Sequence, residues 1–223
     1  MTRQRGLVAV LMLILTLGAW AAAHAAEDSI SKVMGSISIA PGEHAGDLST
    51  VDGAIEIGDN AVVAHAHTVN GSIKLGEHAS ASQLETVNGS VQLRAAARVT
   101  GHIRTVNGSL SLDQGAEVGE QLSNVNGSIH VRAAHVGGDI DTVTGSLEIG
   151  PDAHVDGGIH VRKEHASDQS MREPPRIIIG PGSTVKGTLK FERPVHLYVS
   201  ERASIGAVEG ATAVKFTGDR PPE

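Results

Sequence analysis

His65 and His67 stand two residues apart, so an extended strand would put both imidazoles on one face, where a divalent metal could use them. His102 falls in the same repeat column two copies later. At a strand spacing of about 4.8 Å that puts it roughly 10 Å from His65, too far to share an ion. These are three of 12 histidines, and a solvated surface row that makes the charge pH-dependent explains them more simply. Asp139 with Asp141, and Glu117 with Glu120, could form the paired carboxylates of a polysaccharide-cleaving enzyme. Acidic residues on a solvated face explain them better.

Other motifs carry less. No G-x-S-x-G elbow exists for a nucleophilic serine. Gly182 to Gly187 has the glycine spacing of a phosphate loop, but Thr188 stands where the lysine must be. Asn70, Asn88, Asn107 and Asn126 each open an Asn-Gly-Ser triplet, the glycosylation acceptor pattern, yet all four sit inside a repeat. With no cysteine, disulfides and thiolate metal sites are absent. The residues alone assign no catalytic group, metal or cofactor.

What positions these side chains is one recurring phrase, TVNGS. Val51, Val69, Val87, Val106, Val125 and Val143 each open a copy, and a degenerate copy starts at Val33. The period is 18 or 19 residues, the mark of a repeat architecture. Four positions after the lead Val come Ile37, Ile55, Ile73, Val91, Leu110, Ile129 and Leu147. Six positions after it come Ile39, Ile57, Leu75, Leu93, Leu112, Val131 and Ile149. Three before the next lead Val come Leu48, Ala66, Leu84, Ile103, Leu122 and Ile140, and pairs such as Ala61/Val63 and Ala97/Val99 fill the middle. The V-x-G-x-I-x-L alternation is a strand signature. A helix-pair repeat would be longer, and β-branched residues among frequent glycines oppose helix. Asn-Gly often marks a hairpin, but here the same strand recurs each time, so parallel stacking satisfies every column together.

The expected fold is all-β: a single parallel β-solenoid of 18–19 residues per coil, right-handed by the usual crossover rule, with a C-terminal cap. In this reading the lead Val faces inward and Gly turns the chain. Thr68, Thr86, Thr105 and Thr142 then stack outside with Asn70, Asn88, Asn107 and Asn126 as structural ladders. The corner Asn and Gly suit a left-handed backbone. Repeats cover 33–161, a polar insertion covers 162–175, and final coils cover 176–216, where Phe191, Tyr198 and Phe216 fit a cap. Residues 217–223 read as a loose tail.

Residues 1–25 read as a secretory signal peptide: Arg3 and Arg5, an apolar run from Leu7 to Leu17, then Ala23-His24-Ala25 before the cut. Cleavage removes two arginines and no acid, taking the formal charge from −7 to −9. That opposes nucleic acid as a partner. The mature chain is expected to be periplasmic or secreted, with no transmembrane segment after cleavage.

The runs LEIGPDAHVDGGI (147–159) and IIIGPGSTVKGTL (177–189) resemble bactofilin-type sequences, bacterial β-helical proteins that polymerise end to end. The TVNGSI phrase is similar to families of exported bacterial β-solenoids described as adhesins. The resemblance implies a non-enzymatic structural or interaction scaffold in the cell envelope, partnered by a protein, an envelope polysaccharide or another copy of itself. The export signal, the insertion and the expected cap depart from the bactofilin pattern. An adhesin-like or glycan-binding protein is the first alternative and a polysaccharide-active enzyme the second. Hexapeptide acyltransferases share the coil length, but 19-residue coils break their strict six-residue pattern.

Overall fold

The computed structural model describes residues 28–163 and 173–221. These residues form a parallel β-solenoid with no helix, and no helix among them could cross a membrane. The segment expected to be a signal peptide, residues 1–25, and most of the 162–175 insertion lie outside the described residues.

Each coil contributes to three faces. The first is a ten-stranded parallel sheet of short Ile-x-Leu strands, from Ile37–Ile39 to Ala213–Phe216. The second is built of two-residue strands such as Arg98–Val99, Glu117–Val118 and His135–Val136. The third holds strands such as Ile103–Asn107 and Leu122–Asn126. Two nine-residue strands, Val62–Asn70 and Ser80–Asn88, run unbroken from the second face to the third, joining them into one sheet. Register follows the repeat: Ile55 pairs with Ile73, Ile73 with Val91, and Leu110 with Ile129. Leu147 pairs with Ile177 across the insertion, so the extra residues leave the columns in place.

The apolar columns read from the sequence fill the interior. Ile55, Leu84, Val99, Ile103, Leu122 and Ile159 are all 0% exposed. Each fully buried Leu, Ile or Val is worth about 1.5–3 kcal/mol relative to exposure. A single coil has nothing to bury against, so this gain exists only once coils stack.

The lead Val does not join this core. Val51 is 40% exposed and its later copies are half-buried, while Thr50, Thr68, Thr86, Thr105, Asn124 and Thr142 are 0–3% exposed. The threonines expected outside therefore face in, and the valines face out. The cause is the corner. Leu48–Asp52 ends before Gly53 and the next strand begins at Ile55. Alternation restarts there, so Val51 and Ile55 share sequence parity but not a side.

Two corners have distinct requirements. At Asn-Gly-Ser the backbones of successive coils touch: a Cβ on Gly71 would overlap the Gly53 carbonyl, and one on Gly89 the Gly71 carbonyl. Close approach demands glycine here. The ladder asparagines are not in the left-handed region. That conformation belongs to the corner after the first face, at Asn60 (φ 59°), His78 (57°), Ala96 (56°), Ala133 (43°) and Asp152 (55°).

At the C-terminal end Phe191 and Phe216 are each 5% exposed; Phe191 lies in the core, whereas Phe216 pairs with Ser200, one position past the inward Val199–Lys215 pair, and packs outside it. Tyr198 instead points outward in the column Ile178, Tyr198, Val214, with the Arg176 guanidinium 4.9 Å from its ring centre. It is not part of a cap. In the tail, Asp219 pairs with Arg202 at 3.2 Å.

Candidate functional site

The strongest arrangement runs along the Thr-Val-Asn-Gly corner. Four inward threonines donate their hydroxyls to a glycine carbonyl of the coil before: Thr50 to Gly35 (3.1 Å), Thr68 to Gly53 (2.9 Å), Thr86 to Gly71 (2.9 Å) and Thr105 to Gly89 (3.2 Å). Asn124 fills the same role, its amide donating to Gly108 at 3.0 Å. Thr142 departs, its hydroxyl accepting the Gly145 N–H at 3.2 Å within its own coil. Buried hydroxyls need partners, and these find them in groups the corner would otherwise leave bare.

Outside this row, the asparagine amides form a continuous chain. Asn88 donates to Asn70 at 3.0 Å, Asn107 to Asn88 at 3.0 Å and Asn126 to Asn107 at 2.9 Å. Asn70 donates to the Asp52 carboxylate at 2.7 Å. At the other end the Thr144 hydroxyl donates to Asn126. All amides point the same way, so their dipoles add and terminate on a negative charge. The amide nitrogens of the Asn-Gly-Ser triplets are thus engaged in the ladder.

Six of the described histidines, His65, His67, His102, His130, His135 and His160, stand within 4.0 Å of carboxylates on neighbouring coils. His65 Nδ1 lies 2.6 Å from Asp47 and His130 Nδ1 3.2 Å from Glu148, each pair 18 residues apart. Glu85 is a hub: His67 stands at 3.8 Å, His102 at 3.2 Å and Arg104 at 3.8 Å. Its carboxyl is held at about 2, against an ordinary 4.5, first by the nearby His67 imidazole, then by His102 and Arg104, with partial burial opposing them. His65 and His67 do share a face, but each has its own acid, and Gln83 stands between His65 and His102 in the column they share. Among the described residues no group of three or more His, Asp or Glu is arranged to hold a metal. The coil period was the signal that could have located these pairs.

The acid pairs are committed to neighbours. Asp139 accepts the Gly158 N–H at 2.6 Å. Asp141, 4% exposed, takes Arg162 Nε at 3.0 Å and the Gln121 amide. Glu117 pairs with Arg98 at 2.7 Å, and Glu120 stands 4.0 Å from His102. An open depression of about 460 Å³ on the second face is lined by Glu117, His135, Asp152, His154, Asp156 and Lys186. Two of its acids are matched, Glu117 by Arg98 and Asp156 by two cations. Lys186 at 2.7 Å and His135 at 2.9 Å bind Asp156 and hold its carboxyl below the usual range.

What this arrangement can do is present long rows of exposed amides and paired charge. Comparison with protein-family models, with curated proteins and with solved structures gives no match to this chain.

Proposed function

We propose that this protein is an exported, non-enzymatic β-solenoid that serves as a structural or interaction scaffold in a bacterial cell envelope. One observation carries the reading: the asparagine chain from Asp52 to Thr144 runs unbroken along the corner, coil after coil. Such a row stiffens the rod and displays identical polar groups at regular steps, which suits a platform more than a reaction centre. The carboxylates that an enzyme would use are engaged by backbone, arginine or imidazole partners. The N-terminal Arg3/Arg5, apolar run and Ala23-His24-Ala25 support export. The test is cross-linking in intact cells followed by periplasmic extraction. Recovery of a defined envelope protein or polysaccharide with the chain supports the reading; cytoplasmic location of the full-length chain overturns it.

A second reading, an adhesin-like glycan binder, is favoured by Tyr198. It is an outward-facing aromatic with a cation stacked on it, in the apolar column of Ile178 and Val214. Aromatic faces are the usual platform for sugar rings. A glycan array bound by the wild type and lost in Tyr198→Ala would favour this reading; an array with no signal would end it.

A further inference from the structure

Among the described residues, the two ends of the solenoid are open sheet edges. At the first, the strands Ile30–Met34, Ile37–Ile39 and His44–Ala45 pair among the described residues on one side only, with the second coil. At the last, Ser204–Ile205, Val208–Glu209 and Ala213–Phe216 pair only with the coil before. Unpaired strand edges are templates for adding another chain. The danger is acute here because the coils share one register, so a second copy placed end-on would continue every column. The inward residues are also ready for it: Ile205, Val208 and Ala213 are only half-buried at the last coil.

Each end nevertheless carries one lysine where the inner coils place an uncharged, buried residue. Lys32 pairs with Thr50, heading the column Thr68, Thr86, Thr105 and Asn124, whose members are at most 3% exposed. Lys215 pairs with Val199, ending the column Val131, Ile149, Ile179 and Val199, all 0% exposed. Both lysines are exposed, and Lys32 Nζ is held by the Ser36 carbonyl at 2.7 Å.

We propose that Lys32 and Lys215 are charge stops that keep the solenoid a discrete rod by barring head-to-tail stacking of copies. Continuing the columns across such a junction sets Lys215 against Ile39 and Lys32 against Gly210, next to Phe191. Two ammonium groups would enter one apolar interior. The other inward positions of the end coils, Ile30, Ile37, Ile39 and Ala45 at one end and Ile205, Val208 and Ala213 at the other, supply no carboxylate to pair with them. Burying an unpaired charge is strongly unfavourable, and two of the same sign also repel. An inward charge on an edge strand is a known way for a sheet to refuse a partner.

The test uses the absence of cysteine from the chain. Ser38→Cys and Val214→Cys place thiols at outward positions of one column that become neighbours only across a head-to-tail junction. In this background the purified protein is oxidised at rising concentration and read by gel and by sedimentation, with and without Lys32→Thr and Lys215→Val. The expected result is a monomer with wild-type lysines. With both lysines replaced, a disulfide ladder should form, with an association constant raised about tenfold or more, since each tenfold step needs only about 1.4 kcal/mol. A ladder with the lysines present overturns the proposal, as does no ladder in a double variant whose far-UV dichroism is native. If the double variant loses strand content, Lys32→Thr and Lys215→Val are read singly by the same two criteria.

Discussion

The Thr86 hydroxyl donates to the Gly71 carbonyl at 2.9 Å, although fifteen residues separate them, and Thr86 is 3% exposed. The bond joins one coil to the coil before it, so it exists only in the stacked protein. Replacing Thr86 with Val keeps the shape and removes the donor, leaving the Gly71 carbonyl without that partner. The expected loss is about 1 kcal/mol. Urea unfolding of Thr86→Val and Thr86→Ser measures it, with Ser retaining more of the stability.

Gly89→Ala should be far worse than its one added methyl suggests. The new Cβ would meet the Gly71 carbonyl, and backbone cannot step aside without breaking register. A loss at or above the usual overpacking range of about 1–3 kcal/mol is expected. Thermal melting followed by far-UV dichroism reads it, and an unchanged midpoint would contradict the close approach.

Ala96 has φ 56°, a left-handed conformation that costs an alanine energy and a glycine none. Ala96→Gly is therefore expected to stabilise the protein, by about 1 kcal/mol or less once the greater unfolded-state freedom of glycine is included. Denaturant midpoints compared at equal slope decide the sign.

Asn88 sits mid-ladder, donating to Asn70 and accepting from Asn107. Asn88→Ala cuts the chain on both sides, but water can reach the freed groups. A modest loss of about 0.5–1.5 kcal/mol follows. Asp52→Ala, which removes only the terminal acceptor of Asn70, should cost less. Reversal of that order in urea unfolding would mean the ladder is not cooperative.

Glu85 gives the pH dependence. Its folded pKa of about 2 lies below the ordinary 4.5, so its carboxylate stabilises the fold above about pH 4.5, and this is lost as pH falls toward 2. Glu85→Gln should lower stability at neutral pH, and the gap to wild type should close between about pH 5 and 2. Its partial exposure keeps the effect small. Unfolding free energies of both proteins across that range provide the check.

Much of the fold was legible in the chain because a solenoid repeats its instructions. The columns headed by Ile37, Ile39 and Leu48 are the buried columns, and the coil spacing matches the strand register. The imidazole–carboxylate pairs were legible too, since Asp47 and His65 stand one period apart. The corners were not. Where Asn-Gly-Ser turns the chain, strand alternation restarts, and period-2 reading carried across it assigns Thr and Val to the wrong sides.

The sequence by itself determined that identical strands recur every 18 or 19 residues and must stack in parallel, because no single coil can bury its own apolar side. Only the tertiary structure decided which side of the TVN strand is inside. Thr and Val are both β-branched and nearly equal in size, so local propensity cannot separate them. A one-residue shift in phase exchanges the faces completely. What separates Thr from Val is the glycine carbonyl of the preceding coil, an acceptor that a hydroxyl can use and a valine cannot, and that only stacking brings within reach.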